Sequence, residues 1–319
     1  MAGAPSDARL RLTVPADMRG TRLDHALERL VPERSRSQLQ KLVRRGGVRL
    51  DGRKVVRSNV QVQGGEALEL HLDHRRRKRP QELTVLAEDD QRIVIDKPAG
   101  LLMHPNETGE HPTVSDLAVA RFGPLPSISE AIRPGIVHRL DRETSGVSVL
   151  ARTSEALDAL RNQFRARTVA KCYHALVHGV PEEDGFEVDE PLGALPGHKD
   201  RQRVDAAGRA AKTSVQVVRR FERHALLACR PETGRRHQIR VHLAHRGLPI
   251  VGDKLYRREG WSEARLHRHF LHAVELAFDH PSTGARERFE ASLPADLANV
   301  LEALAEGRAT DVTNGSPAS

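Results

Sequence analysis

The stretch His138-Arg139-Leu140-Asp141-Arg142-Glu143-Thr144-Ser145-Gly146 sets five ionisable side chains between two apolar segments, residues 135–137 and 147–151, and closes on a glycine. A charged loop between strands hosts function more often than packing. Its acids admit three readings at this point: Asp141 as a lone nucleophile, Asp141 with Glu143 as a carboxylate pair, or a surface loop of neighbouring arginine and aspartate, the commonest case of such a pattern.

Outward from this loop, strand candidates lie at residues 92–96, 135–137, 147–151, 169–177, 225–229 and 274–278. They alternate irregularly with helical segments, without a repeat period and without the strand–helix rhythm of a doubly wound sheet. A mixed-sheet α+β domain over residues 83–306 is expected. Ser154 is expected to cap a helix bearing Leu157, Leu160 and Phe164. Residues 307–319, small and polar, are expected to be disordered.

Upstream the pattern is different. After about ten polar residues, Leu23, Ala26, Leu27, Leu30 and Val31 recur at helical spacing, and Ser35 or Ser37 caps a second helix with the stripe Leu39, Leu42 and Val43. Off that stripe stand Arg36, Lys41, Arg44 and Arg45, and the helix stops at Gly46-Gly47. Val48-Arg49-Leu50, the turn pair Asp51-Gly52 and Lys54-Val55-Val56 form a hairpin signal that gathers Arg49, Arg53, Lys54 and Arg57. Leu68, Leu70 and Leu72 alternate as a closing strand. A small α+β module over residues 18–73 results. Beyond it, His74-Arg75-Arg76-Arg77-Lys78-Arg79-Pro80 holds five adjacent cations before a proline and reads as an exposed basic linker over residues 74–82.

Charge divides along the same line. The whole chain carries +8, yet residues 1–80 hold 19 Lys+Arg against 9 Asp+Glu, a net of +10, which leaves −2 for the remaining 239 residues. An excess confined to one compact segment points to a polyanionic partner for that segment.

With 319 residues, 38% of them apolar, the chain can bury the cores of two domains. No apolar run approaches the about twenty residues of a membrane span, and the start MAGAPSDARL lacks a basic-then-apolar signal, so a cytoplasmic protein is expected. Cys172 and Cys229 sit in apolar alternating runs and read as buried reduced thiols. His237, His242 and His245 set two ligands a helical turn apart, but no Cys or carboxylate completes a set and no metal is expected. No G-x-x-x-x-G-K-[ST] run supports nucleotide hydrolysis.

Five segments, in order, resemble the RluA family of pseudouridine synthases over about residues 85–285. They are Ile95-Asp96-Lys97-Pro98-Ala99-Gly100 through His104-Pro105, the His138-Arg139-Leu140-Asp141 run, Lys171-Cys172-Tyr173-His174-Ala175, Thr233-Gly234-Arg235-Arg236-His237-Gln238-Ile239-Arg240 continued by Gly247 to Asp253, and Leu271-His272-Ala273 with His280-Pro281. The helix–helix–hairpin pattern of residues 20–72 resembles the small RNA-binding module first seen in a ribosomal small-subunit protein.

The resemblance implies a reaction and roles. Turning uridine into pseudouridine breaks a carbon–nitrogen glycosidic bond, turns the base and makes a carbon–carbon bond, with no redox change and no energy input, so no cofactor is called for. Asp141 is by resemblance the covalent catalyst, adding to the sugar's anomeric carbon or to carbon 6 of the ring. Arg235 is by resemblance the guanidinium that keeps it ionised, with Arg236 standing where the family usually has a small hydroxyl residue and competing for that place. By the same resemblance Tyr173 stacks on the target base and is a candidate for removing the ring proton, and His138 and Arg139 contact RNA, Arg139 either filling the gap left by an extruded uridine or binding phosphate.

The chain thus reads as an RNA pseudouridine synthase, its oligomeric state left open with a monomer favoured, whose partner is RNA, ribosomal by analogy with relatives that carry the same N-terminal module. The rivals are a synthase acting on tRNA, a non-catalytic RNA-binding or ribosome-assembly factor, and a nucleoside hydrolase. The joint presence of Asp141, Tyr173 and Arg235 speaks against an inactive relative.

Overall fold

A computed structural model describes residues 9–32, 34–44, 46–71, 82–105, 112–127, 133–198, 200–257 and 266–307. Arg45, Leu72, residues 74–81 of the expected linker and the tail from residue 308 lie outside them, as does the side chain of Lys41. The chain divides into two compact units, Met1–Gln81 and Glu82–Ser319.

The first unit contains β1 (Arg9–Thr13), α1 (Leu23–Leu30), α2 (Arg36–Arg44), β2 (Val48–Leu50), β3 (Arg53–Val55) and β4 (Ala67–His71). The helical stripes close on one core, where Leu23, Ala26 and Leu27 meet Leu39 and Val43 over Val48, Leu68 and Leu70 of the sheet. Ser35 and Gln38 cap α2 reciprocally: the Ser35 amide donates to Gln38 Oε1 at 3.0 Å and the Gln38 amide to Ser35 Oγ at 3.4 Å. Between β2 and β3 the turn residues Asp51 and Gly52 have φ of 46° and 75°, the two left-handed positions that a two-residue hairpin turn requires.

The sheet order is β1-β4-β2-β3. The expected closing strand is therefore internal, because β1 pairs along its far edge from Arg9↔His71 to Thr13↔Ala67. Its Arg-Leu-Arg-Leu alternation is too short to announce a strand without that partner. Val14 and Met18 belong to the core, so the folded unit begins before residue 18. At the start of α1 the fully buried Asp24 accepts from Arg22, Arg36 and Gln40 at 2.7 to 3.2 Å. Burial alone would raise its pKa, but these donors hold the carboxyl well below the usual range.

The second unit runs β5 (Thr84–Glu88), β6 (Arg92–Lys97), α3 (Val114–Phe122), β7 (Ser145–Ala151), α4 (Ser154–Ala166), β8 (Ala170–His178), β9 (Gly185–Asp189), β10 (Leu192–Ala194), β11 (Gln202–Val204), β12 (Lys212–Arg220), β13 (His224–Pro231), α5 (Gln238–His245), β14 (Leu271–Asp279), β15 (Arg286–Glu290) and α6 (Ala295–Ala305). The main sheet has the order β5-β6-β7-β14-β8-β13-β12-β9, with β15 also on β14, and is antiparallel except where β7 and β14 run parallel. The architecture is the expected mixed-sheet α+β.

Every residue of β7 is buried because both faces are covered. Val147 and Val149 pack with Leu157 and Leu160 of α4, while Leu150 packs with Ile93, Ile95 and Ala118. Gly146, at φ 113°, is the second residue of this strand, and a Cβ there would collide with the Ala273 carbonyl of β14. Only glycine permits that approach. Residues 135–137 do not form the expected strand: Gly135 adopts φ 72° in a turn after Pro134, and only Ile136 makes an isolated bridge, to Leu150. The N-cap of α4 is Thr153, whose side chain accepts from the Ala156 amide, rather than Ser154.

Candidate active site

The loop of residues 138–144 is braced from three directions. Lys97, fully buried at the end of β6, donates to the carbonyls of Pro98 at 2.8 Å and Arg142 at 3.1 Å. Burial pushes its pKa down to about 7, while Glu143 and Asp141 pull the other way. Thr144 Oγ1 lies 2.9 Å from His269 Nε2, and Arg268 donates to the Glu143 carbonyl at 3.0 Å and Ser145 Oγ at 3.2 Å. At the loop's start His138 Nε2 accepts from the Val149 amide and faces Ser148 Oγ, with the ring stacked on Phe164 at 4.6 Å. Burial lowers its pKa to about 3. His138 therefore lines the cleft as a neutral anchor of the loop and brings no cation to phosphate.

Asp141 meets Arg240, not Arg235. Arg240 Nη1 donates to Asp141 Oδ2 at 3.1 Å, while its Nε and Nη2 fork onto Asp253 at 2.7 and 2.9 Å. The amides of Leu255 and Tyr256 donate to Asp253 Oδ1, so the arginine is fixed by a carboxylate that is itself fixed. Burial would raise the pKa of Asp141, yet it is lowered. His237 and His269 are neutral near pH 7, held down by burial to about 4 and about 3, so the charge that keeps Asp141 ionised is that of Arg240.

Arg235 precedes α5 and turns away, its Nε donating to the Ala210 carbonyl at 3.0 Å, and Arg236 pairs with Asp200 at 2.8 Å. Both still line the cleft. The helical register explains the difference. Arg240 lies in the first turn of α5 among the buried Ile239, Val241 and Leu243, so its side chain points into the protein, where a guanidinium demands acidic partners. That burial pattern was the signal available in the sequence.

A cleft of about 410 Å³ opens over Asp141, a size that suits a nucleoside. Tyr173, on β8 between Cys229 of β13 and Ala273 of β14, lines it with Phe164, Ile239 and Leu271. Burial, reinforced by the charge of Asp141, pushes the Tyr173 hydroxyl well above its ordinary pKa, so it stays protonated. Arg139 and Lys171 add cations to the lining. Among the described residues no group of three or more His, Cys, Asp or Glu is placed to hold a metal ion, and no helix is long and apolar enough to cross a membrane. Cys172 and Cys229 are free and buried.

In the first unit Arg44, Arg49 and Arg53 are exposed, and the register of β2 on β3 sets Arg49 opposite Lys54. Arg36 differs from them in being tied to Asp24. Sequence reasoning assigned no role to Lys97, His237, Arg240, Asp253, Tyr256 and His269, which the fold brings around Asp141 and its loop.

Comparison with known proteins gives the family of the chain. The RNA pseudouridylate synthase family matches residues 91–245, and the S4 domain matches residues 21–68. "Ribosomal large subunit pseudouridine synthase D" of Nitrosomonas europaea is 40% identical over 306 residues, covering 92% of this chain and 88% of that protein. An RNA pseudouridine synthase described as uncharacterized from Chloroflexus aurantiacus is 41% identical over 304 residues, covering 92% of this chain and 93% of its own length. Among solved structures, human RNA Pseudouridylate Synthase Domain Containing 4 superposes with a TM-score of 0.57 at 28% identity, over 70% of this chain and 93% of that one.

Proposed function

This chain belongs to the RNA pseudouridylate synthase family, and from that premise we propose that it isomerises uridine in large-subunit ribosomal RNA with Asp141 as the covalent catalyst. The observation that carries the reading is a carboxylate kept ionised by Arg240 at the floor of a nucleoside-sized cleft, with no hydrogen-bond partner on Oδ1 among the described residues.

A lone pair of the carboxylate makes the bond to carbon. If the target is the anomeric carbon, the glycosidic pair leaves on uracil N1. If it is carbon 6, the ring's double-bond pair moves onto the O4 enolate. On either route the glycosidic bond is broken with its pair on N1 before the base turns, carbon 5 then bonds to the anomeric carbon, the bond to Asp141 breaks with its pair returning to the carboxylate, and carbon 5 loses its proton while N1 gains one, so the product is an isomer. Tyr173, uncharged, offers a flat face to the base rather than an ionised base for that proton. Arg139 stands exposed at the cleft and fills the stack from which the uridine is drawn. The first unit, matching the S4 domain, holds the RNA through Arg44, Arg49 and Arg53. Ribosomal RNA is preferred as substrate because the relatives named for it align along nearly the whole chain.

Mapping pseudouridines in total RNA by carbodiimide primer stops, in cells with the gene, without it, and with Asp141→Asn, tests the reading. The expected result is a stop in large-subunit rRNA that only the wild-type gene restores. A missing stop in tRNA alone would move the substrate, and restoration by Asp141→Asn would end the nucleophile assignment.

A further inference from the structure

Among the described residues, the two basic side chains with a nitrogen within 4 Å of the Asp141 carboxylate address the same oxygen. Arg240 Nη1 donates to Oδ2 at 3.1 Å, and His237 Nε2 stands 3.8 Å from Oδ2. His237 is held there at some cost. It is the N-cap of α5 with φ 57° and ψ 19°, a left-handed conformation that costs a residue with a Cβ on the order of 1 kcal/mol unless its surroundings fix it.

What fixes it is Tyr256. The Tyr256 hydroxyl lies 2.8 Å from His237 Nδ1 and accepts from the Gln202 amide at 2.9 Å. Its ring lies under the Arg240 guanidinium, 5.1 Å from centroid to Cζ. Two tautomers of a neutral His237 are open in principle. With the hydrogen on Nδ1, the hydroxyl would receive two donors, its own hydrogen would have no acceptor among the described residues, and the bare Nε2 lone pair would face a carboxylate. With the hydrogen on Nε2, the hydroxyl donates to Nδ1, keeps the Gln202 amide as its donor, and the Nε2–H faces Asp141. The second arrangement satisfies every group.

We infer that His237, locked in its Nε2–H tautomer by Tyr256, is a positioning residue that with Arg240 claims Oδ2 of Asp141 and leaves Oδ1 as the oxygen that attacks uridine. The inference rests on the proposed role of Asp141 as nucleophile. At 3.8 Å the Nε2–H is a reserve donor, closing to hydrogen-bond length when the carboxylate turns into the substrate. Attack uses a lone pair of Oδ1 and asks neither proton nor electron of His237. In the resulting ester Oδ2 is the carbonyl oxygen, still faced by Arg240 and His237, and the pair returns to Oδ1 when the ester breaks. Tyr256 thus acts two residues away from the reacting atom.

Two measurements test this, one of them independent of turnover. In protein labelled with 15N-histidine, the imidazole signals of His237, identified by their loss in His237→Gln, should show protonated Nε2 and bare Nδ1 at pH 7. In Tyr256→Phe they should move toward a mixture. Protonated Nδ1, or an imidazolium, at pH 7 would overturn the inference whatever the substrate proves to be.

In single turnover on rRNA from cells lacking the gene, Tyr256→Phe and His237→Ala should slow the chemical step about ten- to a hundredfold, the worth of a hydrogen bond to a charged group. The RNA concentration for half-maximal rate should stay within about twofold, and His237→Gln, whose amide can donate near the Nε2 position, should recover much of the loss. Equal rates in Tyr256→Phe and wild type, or a loss confined to RNA affinity, would overturn it. Wild-type protein that makes no pseudouridine would instead strike the proposed function and leave the tautomer result standing.

Discussion

The two units each hide an aspartate among arginines, and the two are treated differently. Asp24 is fully buried, and both its oxygens are occupied by Arg22, with Arg36 and Gln40 on Oδ2 as well. Asp141 keeps 21% of its side chain exposed, has one guanidinium on Oδ2 and has Oδ1 free of protein partners among the described residues. Saturation makes a carboxylate a structural joint; leaving one oxygen open beside a fixed cation makes it available for chemistry. The same ion pair serves opposite ends depending on how many lone pairs remain.

The sharpest break of that contrast is Asp141→Asn. Single-turnover pseudouridine formation should fall at least about a thousandfold while the thermal midpoint stays near wild type, because the amide keeps the shape but cannot act as nucleophile. A variant retaining a tenth of wild-type rate would place the chemistry elsewhere. Next in size is Arg240→Met, expected to slow the step about a hundredfold and to move the acid limb of its pH profile upward. The sign follows from the site: the reaction needs ionised Asp141, burial raises its pKa, and Arg240 opposes that. Arg240→Met/Asp253→Asn controls for the carboxylate left alone, and Arg235→Gln should leave the acid limb where it is. An equal shift in Arg235→Gln would return the pairing to Arg235.

Asp24→Asn should leave the saturated rate intact and destabilise the first unit by about 2 kcal/mol, read by denaturant unfolding. Because the folded pKa of Asp24 is depressed, its contribution is present above about pH 4, the ordinary value in the unfolded chain, and is lost as pH falls below that. A first unit whose stability is unchanged between pH 5 and pH 3 would deny the joint. Smallest is the effect of Arg44→Gln/Arg49→Gln/Arg53→Gln, which should flatten the slope of log affinity against log salt by about 0.7 to 0.9 for each phosphate no longer neutralised and spare chemistry at saturating RNA. An unchanged slope would locate RNA binding in the second unit's own surface.

How far these features could be read from the sequence varied with their range. The helical stripes of residues 23–43 and the Asp51-Gly52 hairpin are local, and the chain adopts them as written. β1 was missed because its alternation gains meaning only from β4, which lies far along the chain, and residues 135–137 looked like a strand because apolar content hides a Gly135 turn. In the site, Asp141 and Tyr173 were legible as residues. The partner of Asp141 was misplaced from Arg240 to Arg235, since a motif gives arginines in order but does not say which faces inward. The flanking Ile239, Val241 and Leu243 do. Lys97 and Asp253 stand in quoted motifs that gave them no role, and Tyr256 and His269 left no mark in any local pattern, because all four act across the fold.

The parallel pairing of β7 with β14 also sets a sequence of events in time. Ser145 reaches His272, 127 positions away, and Thr144 reaches His269 across 125, so the loop that holds Asp141 has no brace on that side until residues near the chain's end are present. Contacts of such span form late, and in a chain made from its N-terminus the first unit, whose strand pairings reach only from Arg9 to His71, is complete well before them. A refolding or newly made molecule should therefore grip RNA before it can modify it, and following retention and turnover in parallel after dilution from denaturant would reveal the delay. Recovery of both at one rate would mean that the two units fold as one.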